Sequence, residues 1–199
     1  MSAPNTFILA SRSKARQTLL RNAQIDFETA PADIDERAIQ QDSALRDGGA
    51  IAEHLARAKA LNVSGLNPGR VVIGADQTLA LGGELFNKPA DRAAVANQLR
   101  ALSDRTHYLH SAVVVAKDGN ILFSHVAVAG MTMRVLDDDT IAEYLNRVGD
   151  AATQSVGGYQ LEGLGIRLFE RIEGDYFTIL GLPLLPLLTF LRAAKFIVL

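Results

Sequence analysis

The stretch from Thr106 to Val135 constrains the fold of this chain more than any other. It holds two runs rich in β-branched and other apolar residues, one before and one after the pair Asp118-Gly119. An Asp-Gly pair between two such runs is a strong signal for a tight β-hairpin, because both residues tolerate the positive φ angles that the turn requires. We therefore expect an antiparallel pair of strands in the middle of the chain.

Strand-like and helical patterns alternate on both sides of this hairpin. Short runs typical of strands occur at 7–10, 27–34 and 71–75, and once more within 166–183. Apolar residues recur at helical spacing, or helix-start signals occur, at 13–23, 50–63, 91–103 and 137–149, and a terminal helix is expected to begin near Pro183. Interleaved helices and strands with an antiparallel hairpin predict an α/β fold with a mixed central sheet.

The length and charge of the chain limit its organisation and its partners. A chain of 199 residues can form one large domain or two intimate lobes, and we treat 1–199 as a single domain with soft boundary candidates at 40–49 and 150–158. Its formal net charge of −2 gives no long-range attraction for nucleic acid or for anionic membranes. We therefore expect neither partner, and a ligand that carries phosphate needs a local basic cleft.

The absence of cysteine and the character of the two termini suggest a cytoplasmic protein. Without cysteine the chain can form no disulfide, no thiolate zinc site and no cysteine nucleophile, which fits a reducing compartment. The first residues lack the charged and apolar regions of a secretion signal. The apolar stretch 181–199 contains two prolines, Arg192 and Lys195, so we expect a buried terminal helix there and no membrane span.

A carboxylate follows the apolar run that begins at Val71. Val71, Val72 and Ile73 are typical of a buried strand, and Asp76 lies where this strand is expected to end. Ligands of open α/β sheets gather outside the carboxyl ends of the strands, which makes Asp76 a candidate site residue. The same residue type also caps turns, so the pattern alone leaves both interpretations open.

Further charged residues accumulate in predicted connections and near helix starts. They are Ser11, Ser13, Lys14 and Arg16 at the first strand-to-helix junction, Asp33, Asp35 and Glu36 in a predicted loop, Lys59 within a helix, and Lys88 before the next helix. Each of them is also an ordinary cap or a solvated side chain in many proteins. Together they supply what a polyphosphate site requires, namely cations for phosphates, acids for a divalent metal and a carboxylate that directs water. The common P-loop, Rossmann, zinc-protease and serine-hydrolase motifs are absent from the sequence.

Six segments, in order along nearly the whole chain, resemble the Maf family of nucleoside triphosphate pyrophosphatases, also called septum-formation or Maf-like proteins. FILASRSKARQTLL resembles the family's L-A-S-x-S-P-R-R-x-x-L-L, DIDER its D-I-D-E loop, and LARAKA its L-A-x-x-K-A helix. VVIGADQTLAL is similar to the G-A-D-T-V segment, and NKPAD with LRALSDRTH to G-K-P and L-S-G-x-x-H. The most specific match is SVGGYQLEGLG with RIEGDYFTILGLPLLPLL, which resembles A-G-A-Y-x-I-Q-G and I-E-G-D-Y-x-N-V-V-G-L-P-L.

The resemblance implies an activity and a set of site residues. It implies hydrolysis of a nucleoside triphosphate to the monophosphate and pyrophosphate with Mg²⁺ or Mn²⁺, in a fold of two lobes around a substrate cleft, and a homodimer by analogy alone. By position, Asp76 would be the general base and a metal ligand, and Glu36 would be the second metal ligand. The triphosphate would be received by Ser11, Arg16, Lys59 and Lys88.

The chain also departs from the family pattern in ways that bear on the substrate. The family's Pro-Arg-Arg is Lys14-Ala15-Arg16 here, and Gln77 stands where many members have Thr. Ser155 replaces a lysine, and Glu162 replaces a glutamine. With Gln77 and Glu162 the chain resembles the subfamily that prefers 7-methyl-GTP. Ala15 stands where some members of that subfamily have a bulky residue, so the sequence does not show which side chain would stack on the base.

The chemistry of Glu162 fits that substrate. A carboxylate accepts hydrogen bonds from the N1–H and the N2 amine of guanine, and a pyrimidine offers no such pair of donors. Two alternatives stay open at this point. One is a pyrophosphatase that acts on dTTP or UTP, and the other is a nucleotide-binding regulator that has lost turnover.

Overall fold

The computed structural model describes residues 6–42 and 45–199. Within these ranges the strands are β1 (Phe7–Leu9), β2 (Phe27–Thr29), β3 (Val71–Leu81), β4 (Glu84–Phe86), β5 (Thr106–Lys117), β6 (Asn120–Met133) and β7 (Phe169–Glu173). The helices are α1 (Lys14–Asn22), α2 (Glu36–Asp42), α3 (Gly48–Leu66), α4 (Arg92–Leu102), α5 (Asp138–Val148), α6 (Tyr176–Ile179) and α7 (Leu184–Ala193). Short 3-10 segments occupy Gly149–Gln154, Val156–Gly158 and Leu164–Leu168.

The strands form a mixed sheet, which confirms the predicted α/β fold. Their order is β2-β1-β3-β5-β6-β7, and β4 pairs with β3. β1 runs parallel to β2 and to β3, whereas β4 is antiparallel to β3 and β7 is antiparallel to β6. β5 and β6 are neighbours joined by Asp118 and Gly119, whose φ angles are 51° and 73°. A two-residue connection joins only antiparallel strands, so the predicted hairpin is present.

The chain separates into two compact units. The first comprises the described residues up to Gln77, together with 110–127 and 176–199, and the second comprises 78–109 and 128–175. The divisions fall inside β3, β5 and β6 and before α6, and none of them falls within the boundary candidates 40–49 and 150–158. Residues 43 and 44 of the first expected boundary lie outside the described residues. The single-domain organisation over 1–199 stays a prediction.

Helices cover both faces of the sheet in the first unit. Alternate residues of a strand point to opposite faces, so β5 contributes side chains to a core on each face. On one face, Val113 and Val115 of β5 pack in a core with residues of β1, α1, β3 and α7. On the other face, Ala112, Val114 and Ala116 pack against alanines of α3. The small side chains of this second core let α3 approach the sheet closely.

Gly74 marks the closest approach of β3 to α3. A Cβ atom added to Gly74 would lie 2.4 Å from the backbone oxygen of Ala56 and 2.8 Å from the backbone nitrogen of Ala60. A side chain would fit there only if the helix backbone moved, so the packing favours glycine at this position. The contact places α3, which carries Lys59, directly against the strand that carries Asp76.

The second unit has its own buried side chains. They come from β3, α4, β6, α5 and the 3-10 segments, and they include Leu79, Val95, Leu99, Met131, Met133, Ile141 and Leu168. His107 is fully buried, and its Nε2 atom lies 2.6 Å from the hydroxyl of Tyr159. Burial lowers the pKa of His107 to about 4, so this imidazole is neutral in the folded protein at pH 7.

The predicted helices are present with caps of the expected kind. The helices predicted at 13–23, 50–63, 91–103 and 137–149 correspond to α1, α3, α4 and α5. Ser13, Asp47, Asp91 and Asp137 are their N-caps, and each side chain accepts a hydrogen bond from a backbone N–H of the first turn. In the described ranges, no helix combines the length and the apolar character that crossing a membrane requires.

Two local expectations were wrong. Glu36 was expected in a loop but is the first residue of α2, because the Oδ1 atom of Asp35 accepts hydrogen bonds from the backbone of Arg37 and Ala38 and caps the helix. Strand β3 was expected to end before Asp76 but continues to Leu81 and pairs with β4. The turn at Gly82 and Gly83, both with positive φ, was not recognised in the sequence.

Candidate active site

Asp76 lies on β3 beyond the part of this strand that β1 covers. The last register pair between the two strands joins Leu9 to Ile73, and the backbone nitrogen of Ala10 then donates to the oxygen of Ile73. Asp76 is therefore not at the end of its own strand, but it lies past the end of the parallel neighbour. This is the position at which a parallel sheet presents side chains to a ligand.

Lys59 of α3 holds the carboxylate of Asp76. Its Nζ atom donates to Oδ1 of Asp76 at 2.6 Å and lies 2.9 Å from Oε2 of Glu36. The side chains of Lys59 and Asp76 are only 10% and 11% exposed, whereas that of Glu36 is 53% exposed. Lys59 thus does not extend to solvent from its helix, and it bridges two of the acids predicted for this site.

Burial dominates the protonation chemistry of Asp76. Removal from water raises the pKa of Asp76 above its ordinary value, and the positive charges of Lys59 and Arg16 oppose this rise. A carboxylate with a raised pKa is a stronger base than an exposed aspartate. This is the direction in which a general base that works near neutral pH is tuned.

Arg16 lies beside Asp76, and the protein uses most of its donors. Its Nε atom donates to the backbone oxygen of Gly181 at 2.7 Å, and its Nη1 atom donates to the oxygen of Ala75 at 3.0 Å and to Oγ of Ser11 at 3.1 Å. The residue is only 9% exposed. Arg16 therefore connects α1, β3 and the segment after α6, and its predicted contact with a triphosphate stays a prediction.

Ser11 forms part of the same hydrogen-bond network. Its Oγ atom accepts from Arg16 and from the backbone nitrogen of Ser13, and the side chain is buried. Since a hydroxyl also carries one donor, Ser11 retains a hydrogen that it can offer to a phosphate oxygen. The structure thus places Ser11, Arg16, Lys59, Asp76 and Glu36 together in the first unit, and their roles toward a substrate stay predictions.

Gln77 is turned toward the protein. Its Nε2 atom donates to Oγ of Ser111 at 2.9 Å and to the backbone oxygens of Thr178 and Ile179 at 3.1 and 3.0 Å. The two backbone oxygens only accept hydrogen bonds, which identifies the amide nitrogen as the atom that faces them. The predicted specificity role of Gln77 stays a prediction.

The remaining predicted residues lie elsewhere. Ala15 is half-buried in α1. Lys88, Ser155 and Glu162 belong to the second unit, in which Lys88 and Glu162 are exposed and Ser155 is half-buried. Lys88 precedes α4, and Glu162 lies in the turn between two 3-10 segments. Their roles toward a substrate stay predictions.

Three residues of the site network were not identified from the sequence. Thr178 and Ser111 are fully buried, and Oγ of Ser111 donates to the oxygen of Thr178 at 2.7 Å. Gly181 has a φ of 89° and accepts the hydrogen bond of Arg16. The available signal for Ser111 was a hydroxyl in an otherwise apolar strand, and that for Gly181 was a glycine just before Leu182-Pro183.

The two acids beside Lys59 suit a hard divalent cation. Carboxylate oxygens are preferred ligands of Mg²⁺, which proteins usually bind through one or two carboxylates together with substrate phosphates. Asp76 and Glu36 both lie within 3 Å of one positive centre, the Nζ atom of Lys59. Residues 6–42 and 45–199 contain no group of three or more acids or histidines arranged for a metal, and the metal role of Asp76 and Glu36 stays a prediction.

Comparison with known proteins assigns the chain to a family. A family model described as Maf-like protein matches residues 6–194. A nucleoside triphosphate pyrophosphatase of Nitrobacter winogradskyi is 62% identical over 94% of this chain and 92% of its own length, and one of Rhodopseudomonas palustris is 61% identical over 96% and 94%. A 7-methyl-GTP pyrophosphatase of Brucella abortus is 57% identical over 94% and 96%. The chain belongs to the Maf-like protein family.

Proposed function

We propose that this chain is a nucleoside triphosphate pyrophosphatase, in which Asp76 is the general base. The observation that carries the proposal is the buried carboxylate of Asp76, hydrogen-bonded to Lys59 at 2.6 Å and placed beyond the end of β1. The names of the relatives, which share about 60% of their residues with nearly the whole chain, support it.

The chemistry of the chain's own residues follows from this geometry. Asp76 would orient a water molecule and accept its proton as the water attacks the triphosphate, and a raised pKa favours that transfer. Lys59 holds one oxygen of Asp76, which fixes the carboxylate in one orientation. A general base so placed contributes roughly 10²–10⁴-fold to the rate.

The balance of charge in the site supports a divalent cation. Arg16 and Lys59 carry two positive charges, and Asp76 and Glu36 carry two negative ones, so the four groups nearly neutralise one another. A triphosphate brings several further negative charges that these residues do not offset. We propose that Mg²⁺ or Mn²⁺, held by Glu36 and Asp76, neutralises this charge when it is bound.

A modified guanine nucleotide such as 7-methyl-GTP is the proposed substrate. The Brucella abortus relative, at 57% identity, is named for this substrate. The exposed carboxylate of Glu162 suits the N1–H and N2 donors of guanine, and a methylated guanine carries a positive charge. The side chain of Glu162 is exposed and forms no hydrogen bond or ion pair with the described residues, so its oxygens can accept hydrogen bonds from a base.

Identification of the products tests the reaction. The protein is incubated with Mg²⁺ and each of 7-methyl-GTP, GTP, dTTP and UTP, and pyrophosphate and orthophosphate are measured separately. The proposal predicts one pyrophosphate per nucleotide consumed and the highest kcat/KM for 7-methyl-GTP. Release of orthophosphate alone contradicts the reaction, and a preference for dTTP or UTP contradicts the substrate.

The variant Glu162→Gln tests the specificity role separately. We expect kcat/KM for 7-methyl-GTP to fall toward that for UTP, because the amide offers one acceptor where the carboxylate offered two. Glu143→Gln, a change of the same chemistry on the exposed face of α5, is the matched control. An unchanged substrate order in Glu162→Gln removes this residue from the specificity role.

A further inference from the structure

The two residues that flank Asp76 are tied to one short segment. Gln77 donates to the backbone oxygens of Thr178 and Ile179. On the other side, the oxygen of Ala75 accepts from Nη1 of Arg16, whose Nε donates to the oxygen of Gly181. We call Thr178–Gly181 the anchor segment.

The anchor segment is built for close contact with these side chains. At Gly181 an added Cβ would lie 3.3 Å from Nη2 of Arg16 and 3.5 Å from Oε1 of Gln77. With a φ of 89°, Gly181 also has a backbone conformation that L side chains rarely adopt. Gly181 therefore lies next to both the guanidinium and the amide, and its positive φ is what favours glycine here.

A buried hydroxyl reinforces the contact with Gln77. Ser111 accepts a hydrogen bond from Nε2 of Gln77 and donates its own hydrogen to the oxygen of Thr178. The oxygen of Thr178 thus accepts from two side chains, and both Ser111 and Thr178 are fully buried. Polar groups at such depth are costly unless they are paired, so the arrangement has little freedom to change.

We propose that Gln77 is a positioning residue, which together with Arg16 fixes Asp76 against the anchor segment. The proposal rests on the proposed pyrophosphatase reaction and extends it. Gln77 supplies its two amide hydrogens to three acceptors of the protein, so its nitrogen is held within the protein. Its contribution lies in holding the strand that carries Asp76.

The variant Gln77→Met tests the proposal, because methionine is similar to glutamine in length and shape but donates no hydrogen bond. We expect kcat to fall by about 10- to 100-fold, with the same factor for 7-methyl-GTP, GTP, dTTP and UTP, while KM changes by less than about twofold. We also expect faster amide hydrogen exchange in a peptide that covers 176–182. Gln41→Met, on an exposed residue of α2, is the matched control.

The variant Ser111→Ala gives a second, milder change if Gln77→Met folds poorly. It removes one partner of Gln77 and leaves the two backbone acceptors, so an intermediate fall in kcat and an intermediate rise in exchange are expected. A wild-type kcat in Gln77→Met, a reordering of the four substrates, or unchanged exchange at 176–182 would each overturn the proposal.

The two readouts separate this proposal from the reaction itself. If the wild-type protein releases no pyrophosphate from any of the four nucleotides, the proposed function fails. The exchange measurement then still decides whether Gln77 holds the anchor segment. If the wild-type protein is active and Gln77→Met leaves both kcat and exchange unchanged, only the positioning role fails.

Discussion

Replacement of Lys59 by methionine should destabilise the protein through the charge that it leaves behind. Lys59 and Asp76 are about nine-tenths buried and 2.6 Å apart. Removal of one partner of a buried ion pair leaves an uncompensated charge and costs about 3–5 kcal/mol. Because Arg16 also acts favourably on the charge of Asp76, we expect the lower end of this range, about 3 kcal/mol, at pH 7.

The loss of stability in Lys59→Met should depend on pH, and the direction of this dependence follows from the number of protons that the folded and unfolded states bind. Without Lys59 the pKa of Asp76 in the folded state rises further above its value in the unfolded chain. The folded state then binds a proton at a pH at which the unfolded state does not, so stability rises as the pH falls from 7. The gap between Lys59→Met and wild type should therefore narrow at lower pH.

Urea unfolding at several pH values measures both effects. Arg57→Met is the control, since Arg57 lies on the same helix in an exposed pair with Glu53 and should lose less than about 1 kcal/mol. The double variant Lys59→Met with Asp76→Asn removes both charges and should recover much of the lost stability. A loss in Lys59→Met no larger than that in Arg57→Met, or a loss independent of pH, would refute the reasoning.

Three further predictions concern other parts of the chain. Glu36→Gln should lower the free energy of unfolding by less than about 1 kcal/mol, because this side chain is 53% exposed. The same variant should raise the Mg²⁺ concentration needed for the half-maximal rate, and an unchanged Mg²⁺ concentration contradicts the metal role of Glu36. Burial lowers the pKa of His107 from 6.5 to about 4, so the unfolded state binds a proton at a higher pH than the folded state does. The free energy of unfolding should therefore fall by about 3 kcal/mol between pH 7 and pH 4. Urea unfolding of His107→Gln should lack this pH dependence. Gly74→Ala should lower the free energy of unfolding by about 1–3 kcal/mol, because its Cβ would lie 2.4 Å from the backbone oxygen of Ala56. Gly65→Ala, which has open space around the added Cβ, should not lower it. Equal effects of the two substitutions would contradict this packing.

The overall architecture followed from local patterns that are strong in this sequence. Periodic apolar residues located α1 and α3, helix-start signals located α4 and α5, and the pair Asp118-Gly119 located the hairpin of β5 and β6. These signals depend on neighbours in sequence, so a single chain suffices to detect them. The short helix α2 was missed, because the cap at Asp35 was taken for a hydrated turn.

Candidate site residues could be named from the sequence, but their mutual arrangement could not. The resemblance to a family selected Asp76, Lys59, Glu36 and Arg16, and the structure brings these four together. No sequence pattern states that Lys59 is buried against Asp76 or that Arg16 is bound to backbone oxygens of Ala75 and Gly181. These contacts join residues 17 to 165 positions apart, and only the fold determines which side chains meet.

Gln77 shows the same limit most clearly. Its resemblance to the subfamily that prefers 7-methyl-GTP suggested a role in specificity, whereas its amide nitrogen faces Ser111, Thr178 and Ile179. These partners lie 34 to 102 positions away along the chain. A residue next to a catalytic candidate in sequence can therefore face the protein interior, and the direction of its side chain decides its proposed role.

The rate of pyrophosphate release by Asp76→Asn tests the central claim most directly. Asparagine keeps the shape of the side chain but does not accept a proton from water, so kcat with 7-methyl-GTP and Mg²⁺ should fall by roughly 10²–10⁴-fold. Urea unfolding of the same sample shows whether the variant is folded. A folded Asp76→Asn protein that releases pyrophosphate at the wild-type rate would contradict the assignment of Asp76 as the general base.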